Sequence, residues 1–167
     1  MPREAVWQGW GIVAASGSRY FALMAAGGDG ADVLVIEDDE DIRDATVMLL
    51  RCEGYAVLGA ENGREALGLL RSGAVRPKLI ILDLRMPVMD GFAFRAAQLS
   101  DPALAAIPVV VFSADGPRVL KAAEALGAVA AVDKPVDGEK LLGVVNEVCA
   151  AYPRAARNFT SSTRARP

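Results

Sequence analysis

The chain has 167 residues, 53% of them hydrophobic and 23% charged, with no histidine and a formal net charge of −3. That length supplies one core of ordinary size, and the missing histidine excludes Ser-His-Asp and Cys-His sites and most zinc sites. Leaving aside residues 1–31 and the arginine-bearing stretch 154–167, residues 32–153 hold 12 basic and 19 acidic side chains, a net of −7. A body this acidic does not favour nucleic acid, which selects clustered lysine and arginine.

Residues 1–31 scatter Trp7, Trp10, Tyr20 and Phe21 among glycines without helical or strand periodicity. Their interrupted apolar stretch and scarcely basic start make a poor signal peptide. The segment reads as an extension, either disordered or lying ahead of the native start. Residues 33–36 are apolar at every position, the pattern of a strand buried on both faces. Six carboxylates crowd into residues 37–44. Asp39 or a neighbour caps a helix with Ile42, Ala45, Leu49 and Cys52 on one face, and Gly54 supplies a left-handed stop.

Residues 55–58 predict a second strand, and Asn62-Gly63 leads a helix with Ala66, Leu67 and Leu70 inward, ended by Gly73. Residues 79–82 form a third, wholly apolar strand that runs straight into Asp83 and a turn-rich stretch, 85–91. A helix follows over 92–99, then a fourth strand over 107–112. A helix carrying Val119, Ala122, Ala123 and Leu126 ends at Gly127. Residues 129–132 make a weaker fifth strand, and Leu141, Val145, Val148 and Cys149 mark a final amphipathic helix. Tyr152-Pro153 breaks the pattern, and residues 153–167 read as a basic disordered tail too short for an output domain. Five strands, each followed by a helix, predict an α/β sandwich around a parallel sheet. No apolar stretch approaches the roughly 20 residues of a membrane span. Cys52 and Cys149 lack metal-ligand spacing and read as small buried residues in a reducing cytoplasm.

Placed on this scheme, the polar residues fall at strand ends. Glu37 and Asp38 follow the first strand, Asp83 the third, Ser113 the fourth and Lys134 the fifth, and a parallel sheet gathers all five along one edge. Crowded carboxylates need neutralising, which a hard divalent cation with oxygen ligands does well, so Mg²⁺ is the natural candidate. Mg²⁺ also borrows oxygen from phosphoryl groups, which Lys134 as a point charge and Ser113 as a hydroxyl could help hold. The inventory describes a phosphoryl site with a carboxylate nucleophile. Taken singly, Asp39, Glu40, Asp41 and Asp44 are dipole-complementing caps, Ser113 a turn former and Lys134 a solvated charge. Their joint occurrence at strand ends overturns the last two.

Four motifs in order carry a resemblance: Val-Leu-Val-Ile-Glu37-Asp38-Asp39, Leu-Ile-Ile-Leu-Asp83-Leu-Arg-Met-Pro87-Val-Met-Asp-Gly91, Val-Val-Val-Phe-Ser113-Ala114 and Asp-Lys134-Pro135. Residues 32–152 resemble a response-regulator receiver domain, the phosphoacceptor of two-component phosphorelay signalling, of the single-domain type. The resemblance implies a flavodoxin-like (βα)5 sandwich with strand order 2-1-3-4-5. It implies that Asp83 takes a phosphoryl group from a phosphohistidine on a histidine kinase or phosphotransfer protein and signals to a further protein. Mg²⁺ would be held by Asp38, Asp83 and the Arg85 backbone carbonyl, with Glu37 acting mainly through water. Lys134 would pair with a phosphoryl oxygen, next to a cis Lys134-Pro135 bond. Ser113 would swing inward over small Ala114.

One position departs from the family pattern. The usual aromatic three residues before the lysine is Ala131, so the response is expected in the loop after Ser113 and the helix that follows. Arg85 and Asp115, each two residues past a site residue, suggest an ion-pair gate over the phosphoryl group. Two other readings remain open: a receiver-fold interaction module that is never phosphorylated, and a Mg²⁺-dependent aspartyl-phosphate phosphatase of the haloacid-dehalogenase type. The phosphatase pattern wants its nucleophile after the first strand with a second Asp two residues on, where this chain has Arg85.

Overall fold

The computed structural model describes residues 31–114, 116, 118–135 and 137–152. Of the extension and tail expected over 1–31 and 153–167, only Ala31 falls within that set, and it is fully buried. In chain order the elements are β1 (Val33–Ile36), α1 (Glu40–Cys52), β2 (Val57–Ala60), α2 (Gly63–Arg71), β3 (Leu79–Leu82), α3 (Gly91–Leu99), β4 (Val109–Ser113), α4 (Arg118–Ala125), β5 (Ala130–Asp133) and α5 (Gly138–Ala151). The sheet order is β2-β1-β3-β4-β5, every pair parallel. This is the predicted flavodoxin-like order.

The strands are apolar throughout because both faces of the sheet are covered. Leu34, Ile36, Ile80 and Leu82 meet Ala66, Leu67 and Leu70 of α2 and Phe94 of α3 on one side. Val33, Val35, Leu79, Ile81 and Phe112 meet Val47 and Leu50 of α1 and Leu141, Val145 and Val148 of α5 on the other. A smaller cluster of Leu84, Val111, Val119 and Ala123 seats α4, with Ala131 packed against it. Burying each such Leu, Ile or Val contributes about 1.5–3 kcal/mol, so these stripes set the layer positions.

Helix ends follow local chemistry. Asp39, Asn62, Asp90 and Asp137 each accept a bond from a first-turn backbone N–H at the start of α1, α2, α3 and α5. Gly54 closes α1 at φ +89°, the left-handed region that favours glycine. Among the described residues no helix is long and apolar enough to cross a membrane.

Five expectations need correcting. Strand β2 falls at Val57–Ala60 rather than 55–58, because pairing with β1 runs from Val33↔Val57 to Ile36↔Ala60. Tyr55 instead returns to α1 through its amide, which donates to the Leu50 carbonyl at 3.1 Å, and its hydroxyl donates to Asn146 on α5. Strand β4 begins at Val109, not 107, since the Ile107 amide is drawn back to the Leu104 carbonyl. Strand β5 shifts by one residue, to Ala130–Asp133. Helix α1 is rotated: Arg43, Thr46, Val47 and Leu50 face inward, while Ala45 is exposed. Cys52 is exposed and Cys149 only half-buried, so neither is the buried residue expected.

Candidate functional site

The register of the sheet assembles the site. Ile36 lies opposite Leu82, so Glu37 and Asp83 leave adjacent strands side by side. The Asp83 amide donates to the Ile36 carbonyl at 2.9 Å, and the Glu37 amide to the Ala60 carbonyl at 3.0 Å. Across β4, Ser113 pairs with Asp133, and the Lys134 amide donates to the Ser113 carbonyl at 3.1 Å. The four strand ends therefore bring Glu37, Asp38, Asp83, Ser113 and Lys134 to one edge of the sheet, where open α/β sheets bind ligands.

One carboxylate oxygen each from Glu37, Asp38 and Asp83 lies within 4.8 Å of the others. Glu37 and Asp83 are buried, and Asp38 is exposed. Lys134 Nζ donates to Glu37 Oε2 at 2.5 Å and lies 3.3 Å from Asp83 Oδ1, with its side chain only 12% exposed. The same ammonium sits 4.9 Å from the centre of the Phe112 ring. Burial pushes the Glu37 and Asp83 carboxyls above their ordinary values. Lys134 opposes the rise, while Asp83 adds to that of Glu37 and Asp38 to that of Asp83. The pocket is thus short of positive charge. Three convergent hard oxygen donors, two of them costly to ionise alone, suit a hard divalent cation of the Mg²⁺ type.

The loop after β3 shapes the approach to Asp83. The Gly91 amide donates back to the Leu84 carbonyl at 3.1 Å, and Asp90 accepts from the Ala93 amide at 2.8 Å as α3 begins. Between them Val88 is 65% exposed and holds φ +69°. A β-branched residue is strained there, and such strain concentrates at functional loops.

The remaining predicted residues fall as follows. Ser113 is buried and Ala114 exposed. Arg85 is exposed two residues past Asp83, whereas Asp115 lies outside the described residues, and the proposed gate with it. Ala131 is half-buried. The Lys134-Pro135 bond is cis. Two residues at the site escaped the sequence reading. Phe112 was taken only as a strand residue, yet its ring neighbours Lys134. Arg43 was not singled out, yet it is 6% exposed and donates to the Glu37 carbonyl at 2.7 Å and the Asp38 carbonyl at 3.3 Å. Gly59 inside β2 was the available signal, because a glycine in a strand interior often marks a close approach.

The family described as response regulator receiver domain matches residues 33–146. The chain belongs to this family. The receiver is 38% identical over 125 residues to an uncharacterized 14.6 kDa protein of Leptolyngbya boryana, covering 73% of this chain and 92% of that one. It is 31% identical to Protein PilH of Pseudomonas aeruginosa over 121 residues, covering 72% and 98%. Among solved structures, the chemotaxis protein CheY4 of Vibrio cholerae matches with a TM-score of 0.63 and 32% identity, covering 71% of this chain and 98% of that one. Homology to response regulators supports a role in two-component signalling, and the acidic cluster fits the Mg²⁺ that receivers use.

Proposed function

We propose that this receiver is a phosphoacceptor: Asp83 takes a phosphoryl group from a phosphohistidine on a histidine kinase or phosphotransfer protein, and a further protein reads the change. The observation that carries this is the buried Asp83 carboxylate, with two acids beside it and the Lys134 ammonium 3.3 Å away. A receiver domain of a histidine kinase from Syntrophus aciditrophicus is among its structural relatives, with a TM-score of 0.67 and 29% identity, covering 77% of this chain and 96% of that one. That likeness supports phosphotransfer chemistry between such proteins.

Glu37, Asp38 and Asp83 would hold Mg²⁺, together with the Arg85 carbonyl. When bound, the ion supplies charge neutralisation for phosphoryl oxygens and carboxylates. An Asp83 oxygen attacks phosphorus in line, the P–N bond of the phosphohistidine breaks, and the imidazole leaves with the bonding pair. Lys134 turns from Glu37 and Asp83 toward a phosphoryl oxygen, and the Ser113 hydroxyl donates to another. Asp83 therefore needs no general base: its carboxylate is already the nucleophile.

The added phosphoryl group brings about −1.5 to −2 charge, which the metal and Lys134 must absorb before the fold responds. With Ala131 in place of an aromatic, we assign that response to the loop after Ser113 and to α4. The reading also puts the protein in the cytoplasm with its kinase. Incubation with Mg²⁺ and acetyl phosphate, followed by intact mass, tests it. One acid-labile phosphate, lost in Asp83→Asn, is the expected result. Multiple turnover of small phosphate esters would make the chain a phosphatase, and no uptake would make it an unphosphorylated interaction module.

A further inference from the structure

Beyond Ile36 the β1 ladder has ended, and the two residues that follow carry two of the three convergent carboxylates. Their carbonyls turn instead to a side chain. Arg43 Nη1 on α1 donates to the Glu37 carbonyl at 2.7 Å and to the Asp38 carbonyl at 3.3 Å. A guanidinium is planar and rigid, so holding two successive carbonyls fixes the peptide unit between them. That peptide is the one that joins Glu37 to Asp38.

The guanidinium is there by construction rather than by chance. Arginine is almost never fully buried unless paired, and Arg43 is only 6% exposed. Both of these partners are backbone oxygens, so its charge is applied on the carbonyl side of the loop and leaves the carboxylates turned to the pocket. Its stem needs room, and β2 supplies it. A Cβ on Gly59 would stand 3.1 Å from both Arg43 Cγ and Cδ, tighter than nine in ten real contacts. Glycine weakens a strand interior, so its presence here is accounted for by the passage of the arginine stem.

We propose that Arg43, with Gly59 as the space it requires, is a positioning residue for the metal site: it holds the Glu37-Asp38 backbone so that both carboxylates converge with Asp83. The inference rests on the reading of that pocket as a Mg²⁺-dependent phosphoacceptor. Residues that orient ligands without touching the metal typically cost 10–100-fold in metal affinity when lost.

The test is Mg²⁺ titration by calorimetry on the full chain, with a urea midpoint recorded for every variant. Arg43→Met keeps most of the stem's packing and removes the donors, and should weaken Mg²⁺ binding by about 10-fold or more. Arg43→Lys, which can still reach one carbonyl, should fall between that variant and wild type. Gly59→Ala, which pushes on the stem while leaving the guanidinium present, should weaken binding in the same direction. Arg95→Met removes a buried arginine of α3 that bonds Gln98 and the Leu126 and Gly127 carbonyls. It should change the urea midpoint but not the Mg²⁺ affinity, which separates positioning from general destabilisation.

Mg²⁺ affinity within twofold of wild type in folded Arg43→Met overturns the inference. If Arg43→Met does not fold, affinity within twofold in both Arg43→Lys and Gly59→Ala overturns it equally. A wild-type chain that binds no Mg²⁺ removes the underlying reading of the pocket, and this inference with it. A wild-type chain that binds Mg²⁺ and is phosphorylated on Asp83, beside an Arg43→Met variant that binds equally well, overturns the inference alone.

Discussion

Gly91→Ala adds a single methyl group, and the structure says where it would go. An ideal Cβ on Gly91 would lie 2.4 Å from the Asp83 carbonyl oxygen and 2.8 Å from Leu84 Cα. Ordinary contact begins at 3.4 Å, so one backbone segment must move by about 1 Å. Both obstructing atoms belong to the main chain, and no rotamer change relieves them. Overpacking of this kind costs about 1–3 kcal/mol, and losing the Gly91 amide bond to the Leu84 carbonyl adds about 1 kcal/mol. Alanine's better helix propensity at the start of α3 returns up to about 1 kcal/mol. The net expectation is a loss of about 1–3 kcal/mol, read as a lower urea midpoint by far-UV circular dichroism. The nearest obstructing atom is the Asp83 carbonyl oxygen, so the strain reaches that residue, and a 1 Å misplacement of a reacting group can cost roughly 100-fold in rate. Phosphoryl uptake from acetyl phosphate, followed by intact mass, should slow by about that factor. The control is Gly68→Ala on the exposed side of α2, where a Cβ meets nothing within 4 Å. It should be neutral or stabilising by up to about 1 kcal/mol. If Gly91→Ala matches Gly68→Ala in stability and wild type in uptake rate, the steric reasoning is wrong.

Burial raises the Asp83 carboxyl, so the folded state binds this proton more tightly than the unfolded chain does. Stability then falls as pH climbs from the ordinary carboxylate range through the raised value, and levels off above it. Asp83→Asn cannot ionise, so in EDTA its advantage in urea midpoint over wild type should be larger at about pH 7 than at about pH 4; a constant gap refutes this. Gln98 is fully buried, donates to the Leu104 and Ile107 carbonyls at 3.0 Å, and accepts from Arg95 at 2.7 Å. Gln98→Ala removes all three bonds, although the Leu104 carbonyl keeps the Ile107 amide and Arg95 keeps the Leu126 and Gly127 carbonyls, and should cost about 2–5 kcal/mol in urea denaturation, with a loss below about 1 kcal/mol counting against the network. Val88→Asn relaxes the residue at φ +69° and should raise stability by about 1 kcal/mol, detectable as a higher midpoint; no gain would mean that the backbone there is unstrained.

The alternation of strands and helices and the edge that gathers the acids were legible because they rest on strong local signals, whereas the sheet order came only with the family resemblance. Residues 33–36 and 79–82 are apolar at every position, and each is followed at once by carboxylates. What failed to read was decided by pairing and by polar burial. Tyr55 and Ile107 look like strand residues by type, but their amides bond to Leu50 and Leu104 rather than to the sheet. The face of α1 was misread because periodicity counts only apolar positions. Arg43 points inward to satisfy two carbonyls, and that turn of the helix carries Thr46 in and Ala45 out. A polar residue buried for its hydrogen bonds leaves no trace in a hydrophobic pattern. Lys134 was legible only jointly: alone it is a surface charge, and beside Glu37 and Asp83 its ammonium becomes the cation inside the pocket.

The balance of formal charge explains why these particular residues belong together. Three carboxylates converge at the pocket against one ammonium, and burial penalises the charged forms of Glu37 and Asp83. A divalent cation such as Mg²⁺ would offset the two remaining negative charges, where a second lysine would offset only one. An aspartyl phosphate then replaces one carboxylate charge by about two. Arg43 places a positive charge on the carbonyl side of the same loop, where it would offset that increment without competing for a carboxylate. On the proposed reading, and counted with Lys134 and a divalent metal, the site would come closest to neutrality with Asp83 phosphorylated. On the proposed reading, Lys134 and Arg43 would therefore favour the modified state, and an acid at position 83 without them would lack that bias.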